Sequence, residues 1–156
     1  MRLLILALSI VACPAIAESL SGFVVSVYDG DTLTLATGQQ RLKVRLADVD
    51  APELRQSFGA RARQSLIDLC FGKSAVVSVL GHDKRGGTIG RVHCDGVDAN
   101  AEQVKHGMAW VYKRNASSTS PLYLLQDQAQ RNHEGLWADR VPAPPWAYRA
   151  NRRNRR

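Results

Sequence analysis

The sequence has 156 residues, of which 45% are hydrophobic and 22% are charged, so an intrinsically disordered chain is excluded as the default and one domain with a single core is favoured. The formal net charge is +7. A basic surface suits a polyanion such as a nucleic acid, although charge alone fits simple solubility equally well.

The first 17 residues are typical of a secretory signal peptide. Arg2 precedes an apolar run at residues 3–12, and Ala-Ile-Ala at residues 15–17 is a small-x-small cleavage site. The run is too short for a bilayer, which needs about 20 apolar residues. Lipid attachment at Cys13 is the alternative. We expect cleavage before Glu18, export to the periplasm or the medium, and no stable membrane association afterwards.

Five segments have the composition of β-strands. Residues 23–28 are rich in Val and aromatic side chains, and Asp29-Gly30 after them is a turn signal. Residues 41–46 alternate charged and apolar side chains, which predicts a half-buried strand. The predicted strands are residues 23–28, 32–35, 41–46, 75–80 and 88–94.

Three helices are predicted from apolar spacing and terminal signals. The first covers residues 58–70. The second begins at Asn100, with Gln103 completing a capping box, and ends at Gly107. The third begins at Ser120 and closes at Gly135.

The C-terminal part is rich in proline and arginine. Residues 141–148 are proline-rich and are predicted to form an extended arm. Residues 149–156 contain five arginines and are predicted to be a disordered basic tail that contacts phosphates.

Two cysteines remain after removal of the signal peptide, Cys70 and Cys94. An even pair in an exported protein indicates a disulfide, and the alternative is two small buried thiols.

This order of elements predicts an α+β fold, a five-stranded OB-type β-barrel with three helices. We expect a signal peptide at residues 1–17, one barrel domain at residues 18–148 and the basic tail at residues 149–156. The fold alone does not give the function.

The first half of the chain concentrates carboxylates at strand ends and turns, and a meander can bring these ends to one rim. Hard divalent cations prefer such oxygen ligands. Asp31 and Asp50 could supply carboxylates to an ion, and Ala51 its backbone carbonyl. The carboxylates at strand ends and turns are Asp29, Asp31, Asp48, Asp50 and Glu53.

Two further side chains suit phosphodiester hydrolysis. Glu53 could orient or deprotonate a water molecule, and the planar fork of Arg45 could bind a phosphoryl oxygen, with a surface salt bridge as the alternative for Arg45. Arg45 and Asp50 can face one site only if the chain bends between them. The regular strand is therefore predicted to end near Ala47 or Asp48.

These motifs resemble the first signature of the staphylococcal nuclease (thermonuclease) family. The resemblance is carried by Asp-Gly-Asp-Thr-Leu-x-Leu at residues 29–35 and by Arg-Leu-x-x-Val-Asp-x-Pro-Glu at residues 45–53. It continues through Val-Asp-x-Asn at residues 97–100, Gly-x-Ala-Trp at residues 107–110 and Gly-Leu-Trp at residues 135–137.

The resemblance implies a Ca²⁺-dependent nuclease that cleaves DNA and RNA with little sequence preference. It implies metal ligation by Asp31, Asp50 and the Ala51 carbonyl, with Arg45 and Glu53 as catalytic residues. We expect a monomer.

The second signature of that family departs at two positions. The tyrosine position holds Arg85, and the second catalytic arginine position holds Gly87. Arg85 could reach the same phosphate in place of the missing arginine. The alternative is weakened or lost catalysis with nucleic-acid binding retained, and a third possibility is a small adaptor domain.

Tyr112, Lys113 and Arg114 form a basic aromatic segment. It could hold substrate by stacking and charge, and a solvated edge is the alternative.

Overall fold

The alternating apolar residues form the strands of a β-barrel in the computed structural model, which describes residues 18–154. The predicted signal peptide with Cys13, and the last two arginines of the predicted tail, lie outside the described residues. The strands are β1 (Ser19–Val27), β2 (Thr32–Thr37), β3 (Gln40–Leu46), β4 (Val49–Asp50), β5 (Ser74–His82), β6 (Thr88–Cys94), β7 (Val97–Asp98) and β8 (Trp110–Val111).

Five of these strands close the barrel. Antiparallel pairs join β1 to β2, β2 to β3, β1 to β5 and β5 to β6. A parallel pairing of β3 with β6, with Arg45 opposite Ile89, completes the ring. The predicted α+β fold with a five-stranded OB-type barrel is confirmed. Large, fully buried side chains fill the interior, among them Leu33, Leu35, Val44, Leu46, Val77 and Val92.

Four α-helices surround the barrel, one more than the sequence predicts. They are α1 (Gly59–Cys70), α2 (Ala99–Lys105), α3 (Leu122–Arg131) and α4 (Pro145–Arg153). A 3-10 turn covers Gly135–Ala138. Within residues 18–154, no helix is long and apolar enough to cross a membrane.

The extra helix α4 begins where an extended arm was predicted, so the prediction for residues 141–148 is wrong over its second half. Pro145 occupies the first turn, where the missing N–H needs no partner and the fixed φ suits a helix. Pro142 and Pro144 therefore precede the helix, Pro145 begins it, and none of them interrupts it. The helix continues through Arg149 to Arg153, so this part of the predicted disordered tail is helical.

The capping box predicted for α2 is also wrong. The N-cap is Asp98, whose Oδ1 accepts a hydrogen bond from the backbone N–H of Ala101 at 3.0 Å. Asn100 and Gln103 are both fully buried and use their amides elsewhere.

These two buried amides position loops around the barrel rim. Asn100 Nδ2 donates to the carbonyl of Ala47 at 2.8 Å, just before β4. Gln103 Nε2 donates to the carbonyl of Gly30 at 2.6 Å, and its Oε1 accepts from the Ser65 hydroxyl at 2.6 Å. Helix α2 thereby fixes both segments that carry the acidic residues.

Cys70 and Cys94 are joined by a disulfide with a Cα–Cα distance of 5.2 Å. The bridge links the last residue of α1 to the last residue of β6, and both cysteines are buried. It therefore ties the helix that follows the acidic segment to the barrel wall.

Replacing both cysteines, as Cys70→Ala/Cys94→Ala, is expected to lower the free energy of unfolding by about 3 kcal/mol, because the bridge closes a loop with a sequence separation of 24. Urea denaturation of the oxidised wild type and the double variant measures the difference. Wild type unfolded in excess reductant is the matched control, and its free energy of unfolding should fall toward that of the variant. Equal stability of all three would show that the bridge contributes nothing.

Candidate active site

The turn between β1 and β2 presents the first two carboxylates. Asp29 Oδ1 accepts the backbone N–H of Asp31 at 3.1 Å, which closes the turn. Gly30 packs closely against Ala51 and Ala62. A Cβ at this position would stand 2.6 Å from the Cβ of Ala62 and 2.7 Å from that of Ala51. Only glycine lets the turn pack this closely against the rim.

Asp31 is buried and tied to the chain after β4. Its Oδ2 accepts the backbone N–H of Ala51 at 2.9 Å, and its Oδ1 accepts the Thr32 hydroxyl at 2.9 Å. Burial raises the pKa of Asp31 from 3.8 to about 7, while Arg45 opposes this shift and Asp29 adds to it. This carboxyl group is therefore poised between its two protonation states near neutral pH.

The chain bends between Arg45 and Asp50. On a straight strand these two side chains would lie on opposite faces, and the bend brings them to one site. Strand β3 ends at Leu46, and Asp48 has a left-handed φ of 63° before β4 begins. Arg45 Nη2 consequently donates to Asp50 Oδ1 at 3.2 Å and lies 3.5 Å from Asp31 Oδ2. The Asp31 charge is the main cause of the raised pKa of Arg45.

Glu53 is placed by the loop between β4 and α1. Its backbone N–H donates to Gln56 Oε1 at 3.2 Å, and its carbonyl accepts the Gln56 N–H at 2.7 Å. Gly59 lets the start of α1 lie directly against this carbonyl, since a Cβ at Gly59 would collide with it. The Glu53 side chain remains partly exposed, at 35%.

A residue of the predicted tail completes the cluster. Arg149, on α4, donates from Nη2 to Asp50 Oδ2 at 2.6 Å and from Nη1 to Asp50 Oδ1 at 3.1 Å. The same Nη1 donates to Glu53 Oε1 at 2.8 Å. The hydrogen bond to Asp50 is the largest cause of the raised pKa of Arg149, so this group stays charged. The sequence prediction missed Arg149 as a site residue.

These side chains line a cavity of about 280 Å³ at the barrel rim. Five carboxylates and three cationic groups face it, which leaves two negative charges in excess when all are ionised. The lining residues are Asp29, Asp31, Thr32, Lys43, Arg45, Asp50, Ala51, Glu53, Asp83, Gly87, Thr88 and Arg149. The sequence-predicted residues Asp31, Asp50, Ala51, Arg45 and Glu53 are therefore brought together.

Arg85 does not join them among the described residues that line this cavity. Asp83 Oδ1 accepts the backbone N–H groups of Arg85 at 2.8 Å and of Gly87 at 2.9 Å, which fixes the loop and lowers the pKa of Asp83. Arg85 instead lines a neighbouring depression with Arg41. The structure does not support Arg85 as the substitute for the missing arginine.

The basic aromatic segment is only partly brought together. Tyr112 and Arg114 line a second groove, of about 570 Å³, and Lys113 is not among its lining residues. Trp146 of α4 also lines this groove, with its ring centroid 5.7 Å from that of Tyr112. The groove also takes in Arg149, which lines both cavities, and the other lining residues are Ala147, Ala150, Arg152 and Arg153.

The chain is similar in sequence to one protein family and to several individual proteins. The family described as "Staphylococcal nuclease homologue" matches residues 43–139. Protein ParB of Escherichia coli is 39% identical over 161 residues, which cover 97% of this chain and 90% of that protein. A micrococcal nuclease of Shigella flexneri is 38% identical, with coverage of 93% and 88%. An uncharacterized endonuclease of Haemophilus influenzae is 43% identical over 81% of this chain and 71% of its own length.

The raised pKa of Asp31 predicts that the metal-free protein loses stability as pH rises from about 4 to about 7. In that window the folded state retains a proton that the unfolded state has released, so each added pH unit favours unfolding. The contribution of one group is at most about 1.4 kcal/mol per pH unit. Asp31→Asn should remove this slope in urea denaturation with chelator.

Asp127→Asn, which changes an exposed acid of α3, is the matched control and should keep the wild-type slope. If Asp31→Asn and wild type show the same dependence on pH, the proton is not held by Asp31.

Proposed function

This chain belongs to the staphylococcal nuclease family, and on that premise we propose that it is an exported, Ca²⁺-dependent nuclease that hydrolyses phosphodiester bonds in DNA and RNA with little sequence preference. The observation that carries the proposal is the cavity at the barrel rim, where Asp31, Asp50 and Glu53 meet Arg45. It combines acidic oxygens for a hard cation with a guanidinium group for phosphate.

The cavity fits a divalent cation by charge and by donor type. Two negative charges are in excess, and Asp31 is a buried carboxylate whose ionised form needs a neighbouring positive charge. Asp31, Asp50 and the Ala51 carbonyl would hold the ion, which suits Ca²⁺ because it accepts several loosely arranged oxygens and water. Within residues 18–154, no three acidic, His or Cys side chains form a ready-made metal cluster. Arg45 and Arg149 instead bind the Asp50 carboxylate in the free protein. When bound, the ion supplies charge neutralisation at the phosphate and a more acidic water.

The side chains of the protein then have separate tasks. Arg45 offers N–H groups to a phosphoryl oxygen, because its guanidinium is 42% exposed and lies at the wall of the cavity. Glu53 orients and deprotonates the attacking water, since its carboxylate is partly exposed beside Asp50 and Arg149 binds both carboxylates.

The second groove offers a path for the nucleotides beyond the cleaved bond. Tyr112 and Trp146 provide aromatic faces for bases, and Arg114 provides positive charge for phosphates. Stacking does not depend on which base is present, so this groove supports low sequence preference. Lys113 is a weaker candidate for this role.

Export is supported by the signal-like N-terminus and by the disulfide between Cys70 and Cys94, because such bridges persist in oxidising compartments. We propose release into the periplasm or the medium as a monomer, with no stable membrane association after cleavage of the signal peptide.

The nuclease proposal predicts cleavage of single-stranded DNA and RNA with Ca²⁺ and none with chelator. Glu53→Gln should lower kcat by about 100- to 10,000-fold, because the amide cannot accept the proton from water. Gel assays of oligonucleotide cleavage measure both effects. Glu134→Gln, at an exposed glutamate outside the cavity lining, is the control and should match wild type.

Absence of Ca²⁺-dependent cleavage by the wild type would remove the enzyme proposal. If salt-sensitive nucleic-acid binding then survives both Glu53→Gln and chelation, the protein is a binding module instead.

The export proposal predicts that expression of the full chain in a Gram-negative host gives a mature protein outside the cytoplasm that begins at Glu18. N-terminal sequencing of periplasmic and medium fractions tests this. Retention of Arg2 in the recovered protein, or a lipid on Cys13, would contradict it.

A further inference from the structure

Arg149 holds a position between the two kinds of carboxylate in the active site. Its guanidinium binds both oxygens of Asp50 and one oxygen of Glu53, at 2.6 to 3.1 Å. It therefore touches the proposed ion ligand and the proposed water-handling group together. We propose that Arg149 is a catalytic arginine, which binds the phosphoryl oxygens of the substrate during hydrolysis. This inference rests on the nuclease function proposed above.

The charge requirement of the reaction favours a second arginine. Hydrolysis builds negative charge on the phosphoryl oxygens, and fixed cationic donors stabilise that charge. Arg45 supplies one guanidinium to the cavity. The loop at residues 83–87 supplies a carboxylate, Asp83, and a glycine, Gly87, and its Arg85 is not among the cavity-lining residues. Arg149 is the other arginine that lines the cavity within residues 18–154.

The contacts of Arg149 are of a kind that substrate can replace. Coordination of an ion by Asp50 would occupy a carboxylate oxygen that now accepts from Arg149, so N–H groups of the guanidinium would be released. A phosphodiester brings anionic oxygens that match the same planar fork. The Arg149 side chain is 38% exposed, so it is accessible from the cavity without unfolding of α4.

The C-terminal segment is anchored so that this arginine stays at the cavity. Gln56 Nε2 donates to the carbonyl of Ala143 at 2.6 Å, and the Tyr148 hydroxyl donates to the carbonyl of Arg55 at 3.2 Å. Arg55 and Gln56 follow Glu53 in the sequence by two and three residues, respectively. The loop that presents the water-handling carboxylate and the helix that presents the guanidinium are therefore fixed to each other.

The test compares wild type with Arg149→Ala, Arg149→Lys and Arg131→Ala. Arg131 is an exposed arginine at the end of α3, outside both cavities, so its variant removes the same charge without touching the site. The measurements are kcat and KM on a single-stranded DNA oligonucleotide with Ca²⁺, and thermal unfolding. Arg149→Ala should lower kcat by about 100-fold, Arg149→Lys should lie between, and Arg131→Ala should match wild type.

Three further measurements separate a catalytic role of Arg149 from a structural one. Guanidinium ion added to Arg149→Ala should restore part of kcat, and so should Gly87→Arg in the same background, because Gly87 lines the same cavity. The new side chain would displace the Asp83 carboxylate, which stands 2.7 Å from a Cβ at this position. Calorimetric titration of the metal-free proteins with Ca²⁺, without substrate, should show tighter binding by Arg149→Ala than by wild type, since the competing guanidinium is gone.

Wild-type kcat in Arg149→Ala would overturn the inference while leaving the nuclease function intact. A loss of activity that neither guanidinium nor Gly87→Arg restores, or weaker Ca²⁺ binding by Arg149→Ala, would overturn it in favour of a role in holding Asp50. Absence of cleavage by the wild type would overturn the proposed function, and this inference with it.

Discussion

Asp50 is the buried charge on which the active site depends. Its side chain is 1% exposed, and its oxygens accept hydrogen bonds from Arg45 on β3 and from Arg149 on α4. Removing one partner of a buried ion pair typically destabilises a protein by about 3–5 kcal/mol, because the remaining charge is left without compensation. The carboxylate therefore requires the closed barrel and the C-terminal helix at once, and it makes the last helix part of the candidate active site.

The same arrangement shows how the charges of the cavity are held before any ion or substrate binds. Arg45 and Arg149 pair with carboxylates of the cavity in the free protein. The burial that raises the pKa of Asp31 also strengthens its attraction to Arg45. Under the proposed function, a divalent ion would bring positive charge and a phosphodiester would bring negative charge. Each would take over partners from the existing ion pairs, so the charges of the cavity would be rearranged without leaving one uncompensated.

The predictable features were those encoded by neighbouring residues. Alternation at residues 41–46 gave the strand and its faces, and the incompatibility of Arg45 and Asp50 on one straight strand gave the bend at Asp48.

Features set by distant contacts were missed. Asn100 looks like a helix cap, yet it is buried against the carbonyl of Ala47, 53 residues away. The proline-rich spacing before α4 looks extended, and only Pro145 in the first turn signals a helix start. Arg149 is 96 residues from Glu53, so no local pattern connects them.

The loop at residues 83–87 shows that a residue missing from a family motif does not by itself establish that the function is lost. Backbone N–H groups of Gly87 and Arg85 stabilise the Asp83 carboxylate, so this edge of the cavity carries negative charge. Arg149 brings a positive charge to the same cavity from α4. A phosphoryl group responds to where a guanidinium lies and not to its place in the sequence, just as catalytic groups recur on unrelated chains in different orders. If Arg149 has the proposed role, the docking of α4 on the loop after Glu53 supplies the second guanidinium, because it holds Arg149 within hydrogen-bonding distance of Asp50 and Glu53.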